Sequence, residues 1–146
     1  MMNKNIVISL LDKQEYPVIK KKIEKQEYSS QVLLSLGVKK DSEFYELYTQ
    51  YFLRLLDRRS GTPEMIDPCP PQDMLGTATF AHKNWGIPKN YILFTTGEGE
   101  GGYFYNVDDN SVWDCGLGEQ HLLGTNQLKH WDSFYEFMVW YLTVDE

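Results

Sequence analysis

The chain has 146 residues, 42% hydrophobic and 14% aromatic, enough for one domain that buries roughly two-thirds of its unfolded surface. Its 14 Lys and Arg face 21 Asp and Glu, a formal charge of -7, which argues against a phosphate-backbone binder and predicts no direct nucleic-acid or anionic-membrane partner. No apolar run approaches the roughly 20 residues of a membrane span, the 6–11 stretch is too short for a secretory signal core, and two cysteines, Cys69 and Cys115, support neither a disulfide framework nor a Cys-based zinc site, so a soluble cytoplasmic domain is expected.

Ile6, Val7, Leu10 and Leu11 recur at helical spacing, with Asn3 or Asn5 as a cap and Pro17 as the interruption. The 18–27 segment, VIKKKIEKQE, predicts a helix with Ile19 and Ile23 four apart and Lys20, Lys21, Lys22 and Lys25 on its wet face. An apolar run from Val32 to Val38 follows, in which Gly37 suits the left-handed turn after a helix end. The clearest helix spans 41–56. Asp41 or Ser42 caps it, and Phe44, Leu47, Tyr48, Tyr51, Phe52 and Leu55 form one aromatic and apolar stripe whose spacing indicates core packing.

Pro63, Pro68, Pro70 and Pro71 make 58–71 a surface loop. The 72–85 segment predicts a helix with Leu75, Ala78, Thr79 and His82 on one side, stopped by Gly86 and Pro88. Aromatic and β-branched residues then predict adjacent antiparallel strands at 91–96, 103–107 and 111–114, with Asp108-Asp109-Asn110 as the turn between the last two. A Gly-containing connection over 115–129 leads to a last helix, where Ser133 and Glu136 have capping-box spacing and Phe134, Phe137, Met138, Tyr141 and Leu142 share a face. The expected architecture is a single α+β domain over 1–146, helices packed around a mostly antiparallel sheet.

Charge divides the chain. Residues 1–60 carry 11 Lys and Arg against 8 Asp and Glu, whereas residues 61–146 carry 3 against 13. Clustered charge of one sign can steer an oppositely charged partner, and a solvated face that maintains solubility is the alternative. Glu98, Glu100, Asp108, Asp109, Asp114 and Glu119 lie in or beside predicted turns and strand ends, and form the candidate surface for a basic protein partner. The proline-rich 60–71 loop is the next candidate surface.

Motifs that name chemistry are weak. Gly97-Glu-Gly99-Glu-Gly101-Gly102 satisfies G-x-G-x-x-G after a strand, but a strand and not a helix follows, and two glutamates would repel phosphates. Cys115, His121, His130 and Asp132 supply the residue types of a thiol enzyme without a recognisable signature around them. No tight ligand pair marks a metal, the Asp108-Asp109-Asn110 turn lacks the glycine and distant Glu of a calcium loop, and paired glycosidase carboxylates are not identified. No cofactor or metal is expected.

Leu36-Gly37-Val38, the helix SEFYELYTQYF, Gly86-Ile-Pro-Lys-Asn-Tyr-Ile-Leu-Phe94, Gly102-Tyr-Phe-Tyr-Asn-Val-Asp108, Val112-Trp113 and Trp131-Asp-Ser-Phe-Tyr-Glu-Phe137 together resemble the SUKH superfamily over roughly residues 30–142. The chain departs from it after Phe52, where members often show paired glycines and LRLLDRRSGTP has only Gly61. The resemblance implies an α+β protein-binding module and not an enzyme: an immunity protein that neutralises a cognate bacterial toxin, or a regulator of cell-wall glucan synthesis. A Cys115-dependent enzyme is the reading from a different class.

Overall fold

The computed structural model describes residues 2–97 and 101–144. Four helices come first, α1 (Met2–Asp12), α2 (Ile23–Ser35), α3 (Glu43–Gln50) and α4 (Met74–Asn84). Strands β1 (Tyr91–Leu93), β2 (Gly101–Asn106), β3 (Val112–Gly116) and β4 (His130–Trp131) precede a last helix, α5 (Phe134–Leu142). The strands form one antiparallel sheet in the order β1-β2-β3-β4, with Leu93 opposite Phe104, Phe104 opposite Trp113, and Trp113 opposite His130. This is the expected α+β architecture.

The strands read as nearly continuous apolar runs because both sheet faces are covered, so alternate side chains enter two different cores. Ile92, Phe94, Tyr103, Tyr105 and Val112 face the larger core with α3 and α5. Phe44 of α3 is its hub, stacked 4.1 Å from Tyr105 and edge-on to Phe94 and Phe134. Val7 and Leu11 bring α1 into the same core, where it packs on α5. On the opposite face Leu93, Phe104, Trp113 and Cys115 meet Ala81 and Ile87 from the α4 side and Leu128 from the long connection. The chain that continues β1 is paired on its outer side, where Ile66 N–H donates to Phe94 O (2.8 Å) and Thr96 N–H to Glu64 O (2.8 Å), which shortens the free edge of the sheet.

Several expectations are corrected by long-range contacts: the 58–71 loop is not all surface, since Met65, Ile66, Asp67 and Cys69 are buried, and Leu55 of the expected core stripe is exposed. Lys21 is not on a wet face. Its ammonium is buried with Asp67, at 2.9 Å, while Ile19 and Ile23 are 65% and 64% exposed and α2 begins only at Ile23. The 41–56 helix stops at Gln50, because Lys21 Nζ donates to the Tyr48 carbonyl (2.5 Å), the acceptor that Phe52 N–H would need, and Phe52 N–H donates instead to Ile19 O (3.0 Å). Leu53 N–H goes to Asp67 Oδ2 (2.9 Å), completing the diversion. Finally, α4 buries Met74, Ala78 and Ala81, a stripe rotated from the expected one, so that Leu75 stays 41% exposed.

Candidate functional site

The β2–β3 hairpin sets where the singled-out acids lie. Its register pairs Gly101 with Gly116, Tyr103 with Asp114 and Tyr105 with Val112, so the 108–110 turn is at one end of the sheet, Asp114 lies at the middle of β3, roughly 13 Å along the strand from Asn110, and Glu119 follows the far end of β3. The six acids are therefore not one patch. Glu98 and Glu100 lie outside the described residues.

At the turn end, Asp109 is built into the hairpin: its Oδ1 accepts Ser111 N–H (3.0 Å) and Ser111 Oγ–H (2.5 Å), and Ser111 Oγ in turn accepts Trp113 Nε1–H (2.7 Å). Asn110 holds φ +67°, with its Oδ1 accepting the Tyr105 hydroxyl. Asp108 is exposed, and among the described residues its carboxylate makes no hydrogen bond or ion pair. Asp108 joins the turn only through its N–H, which donates to Asn106 Oδ1 (2.8 Å).

At the other end a cleft of about 570 Å³ opens between the 58–64 loop and the sheet, with Glu64, Tyr103, Asp114 and Cys115 among its lining residues. Asp114 is an exposed residue, yet desolvation by the surrounding chain raises its carboxyl pKa, Lys129 opposing and Glu119 reinforcing the shift. Burial pushes Tyr103 up to about 12, with the Asp114 charge adding to it. Gly101 and Gly102 are explained here by packing and not by phosphate. A Cβ on Gly101, at φ +116°, would sit 2.2 Å from the Cys115 carbonyl oxygen, and one on Gly102 would sit 2.7 Å from Thr95 Oγ1.

Cys115 is buried, and burial first, then the charges of Glu119 and Asp114, push its thiol up to about 11, away from the thiolate a nucleophile needs. Its Sγ–H contacts Gly116 O at 3.5 Å. Among the described residues no hydrogen bond joins it to a histidine: His130 stacks on Trp113 at 4.2 Å with Nδ1 3.2 Å from Leu128 O, and His121 is exposed in a 3-10 turn at Gln120–Leu122. His130 Nε2 and Asp132 approach only to 3.9 Å. Glu119 is engaged in local structure, its Oε1 accepting Gly116 N–H at 2.9 Å.

Beside the cleft lies a cation-aromatic shelf that sequence reading missed. Trp140 of α5 has the Arg59 guanidinium 4.8 Å from one ring and the Lys129 ammonium at 4.2 Å, with Trp131 4.8 Å away. Arg59 Nε–H donates to Trp140 O (3.1 Å), its own N–H donates to Tyr141 O (2.8 Å), and Lys129 O accepts Asp114 N–H (3.0 Å). Tyr103 meets both tryptophans edge-on and also lines the cleft, so cleft and shelf share a wall. Both tryptophans are half-buried. The only trace of this in the sequence is that Trp140 follows Phe137 by three residues, at the margin of the apolar stripe.

Among the described residues no group of three or more His, Cys, Asp or Glu is arranged to hold a metal, and no helix is long and apolar enough to cross a membrane. No known protein family, curated protein or solved structure matches the chain.

Proposed function

We propose that this chain is a non-enzymatic protein-binding domain of the SUKH type, and that it acts as an immunity protein that binds and neutralises a cognate toxin. The observation that carries the binding role is the half-buried Trp140 and Trp131 shelf, with Arg59 and Tyr103, at the mouth of an open cleft. Trp, Tyr and Arg dominate binding energy at protein interfaces, because large rigid rings exclude water around a few directional polar groups. The toxin assignment rests on the family resemblance and on the acidic balance of residues 61–146, which would speed encounter with a basic partner. Asp114 and Glu119 lie by this cleft; Asp108 and Asp109 do not.

The test is co-expression and co-purification with the product of the adjacent open reading frame. The expected result is a stable complex and relief of that product's toxicity, both weakened by Trp140→Ala and unaffected by Cys115→Ala. A neighbour that neither binds nor is neutralised would overturn the immunity reading. Loss of a measured activity on Cys115→Ala would favour an enzyme.

A further inference from the structure

A second concavity, of about 660 Å³, lies at the opposite end of the sheet from the cleft, between the C-terminal turn of α2, α4 and Val107 of the hairpin. Its existence follows from the rotation of α4. Met74, Ala78 and Ala81 enter the core, which leaves Leu75, Thr79, His82 and Lys83 along one side of the groove at helical spacing. Leu36 and Val107 supply the apolar surface across from Leu75, and Val107 is held there by its N–H donating to Asn90 O (2.9 Å). Leu75 is 41% exposed, so the chain itself does not cover this surface.

The rim is cationic against its background. Residues 61–146 contain only three Lys or Arg against 13 acids, and two of those three, Lys83 and Lys89, line this groove. Both are exposed, and among the described residues neither forms an ion pair. His82 has one nitrogen, Nε2, committed to the Tyr91 carbonyl at 2.7 Å, where it must be the donor, so the neutral ring keeps Nδ1 as an acceptor. A free anion would meet only the solvent-exposed ammoniums of Lys83 and Lys89, whereas an amphipathic helix can lay leucines on the apolar surface while its carboxylates reach the same lysines.

We propose that this groove docks an acidic amphipathic segment of a protein partner, with apolar anchors on Leu36, Leu75 and Val107 and carboxylates over Lys83 and Lys89. The hairpin turn next to Val107 carries Asp108 and Asp109, so the segment must place its acids on the α4 side and keep them off the turn, which fixes its direction. This surface is independent of the cation-aromatic shelf.

The probe is a short synthetic helix with leucines at i, i+3 and i+7 flanked by glutamates, titrated into the intact protein while backbone amide resonances are followed. Its counterpart has every glutamate replaced by lysine. The expected result is saturable shifts at Gly37, Thr79, Lys83, Asn90 and Val107, weakened by salt and weakened about tenfold in Lys83→Glu/Lys89→Glu, with Trp140→Ala having no effect. Amides remote from the groove report that the variant is folded. Equal binding of the lysine peptide, undiminished binding by the charge-reversed variant, or no groove shifts at millimolar peptide would each overturn the proposal. Loss of toxin binding in Trp140→Ala with the groove titration intact separates the two surfaces.

Discussion

The Lys21 ammonium is fully buried among Ser29 Oγ (2.9 Å), the Tyr48 carbonyl and the Asp67 carboxylate, which also accepts the N–H groups of Leu53 and Cys69 (both 2.9 Å). Removing water from both charges costs several kcal/mol per ion, so burial still holds the Lys21 pKa below its ordinary value despite the nearby carboxylate. Lys21→Met is expected to destabilise the protein by about 3–5 kcal/mol in urea unfolding, because it leaves the Asp67 charge buried without its counterion. Lys21→Met/Asp67→Asn should recover part of that loss. A single variant as stable as the parent would contradict the pairing. The buried tyrosines make a separate prediction at alkaline pH. Burial raises the pKa values of Tyr48, Tyr103, Tyr105, Tyr135 and Tyr141, with Tyr103 and Tyr105 reaching about 12. A raised folded pKa means that this stability is fully present below the unfolded value of 10 and is lost as pH climbs through the folded values. Lys21, with its lowered pKa, acts in the opposite direction, but as one group against these tyrosines and Tyr91, which burial also raises. Melting temperature should therefore fall steeply between pH 10 and 12, with tyrosinate absorbance appearing together with unfolding.

At the scale of elements, the caps of α3 and α5 and the glycine turn after α2 follow local chemistry, whereas the end of α3 and the buried stripe of α4 do not. Ser42 Oγ accepts Tyr45 N–H (3.1 Å) to start α3, and Ser133 Oγ accepts Glu136 N–H (3.1 Å) to start α5. The far half of the capping box is shifted by one residue, with Glu136 accepting from Asp132 N–H (3.2 Å). After α2, Gly37 takes φ +88° while its N–H donates to Leu34 O and Val38 N–H donates to Leu33 O, both at 3.0 Å, so the exposed carbonyls are satisfied and buried Val38 is directed into the core. Two glycines should then respond differently to alanine. Gly37→Ala is expected to cost about 1–2 kcal/mol, since its Cβ would meet only Val107 Cγ2 at 3.9 Å and the penalty is the left-handed backbone. Gly101→Ala should cost about 3 kcal/mol or more, because its Cβ would drive into the Cys115 carbonyl and force the hairpin apart. Thermal unfolding of the two variants decides this, and equal losses would remove the steric account of Gly101.

Over the whole molecule, charge is distributed between two ends of one sheet. Asp114 and Glu119 lie by the cleft, in company with Arg58, Arg59 and Lys129, while Asp108 and Asp109 lie on the hairpin turn. Sites this far apart perturb a common process additively, and salt weakens the contribution of each because the Debye length is about 8 Å near physiological ionic strength. If a basic partner docks at the cleft, Asp114→Lys should slow its association strongly at low salt, and Asp108→Lys should slow it little. Asp109→Lys, in contrast, should lower stability by about 1 kcal/mol through loss of its bonds to Ser111. Stopped-flow association at two salt concentrations, with melting temperatures for each variant, checks both. Equal slowing by Asp108→Lys and Asp114→Lys would move the docking surface away from the cleft.

The fold class, the caps at Ser42 and Ser133, the glycine turn at Gly37 and the hairpin around Asp108-Asp109-Asn110 were all legible in the sequence, because each depends on backbone groups within a few residues of one another. The surface that would serve the proposed binding role was not legible. Whether Lys21 faces water or Asp67 and where the chain leaves α3 were decided by partners 14 to 46 residues away, and which stripe of α4 is buried by packing against the sheet, since a segment with more than one way to bury its apolar side chains takes the one its distant neighbours complete. The same holds for the Trp140 shelf, where Arg59 comes from a loop 81 residues earlier in the chain. Periodicity reports that a side chain is amphipathic or apolar; only packing selects the surface it meets and so the surface left for a partner.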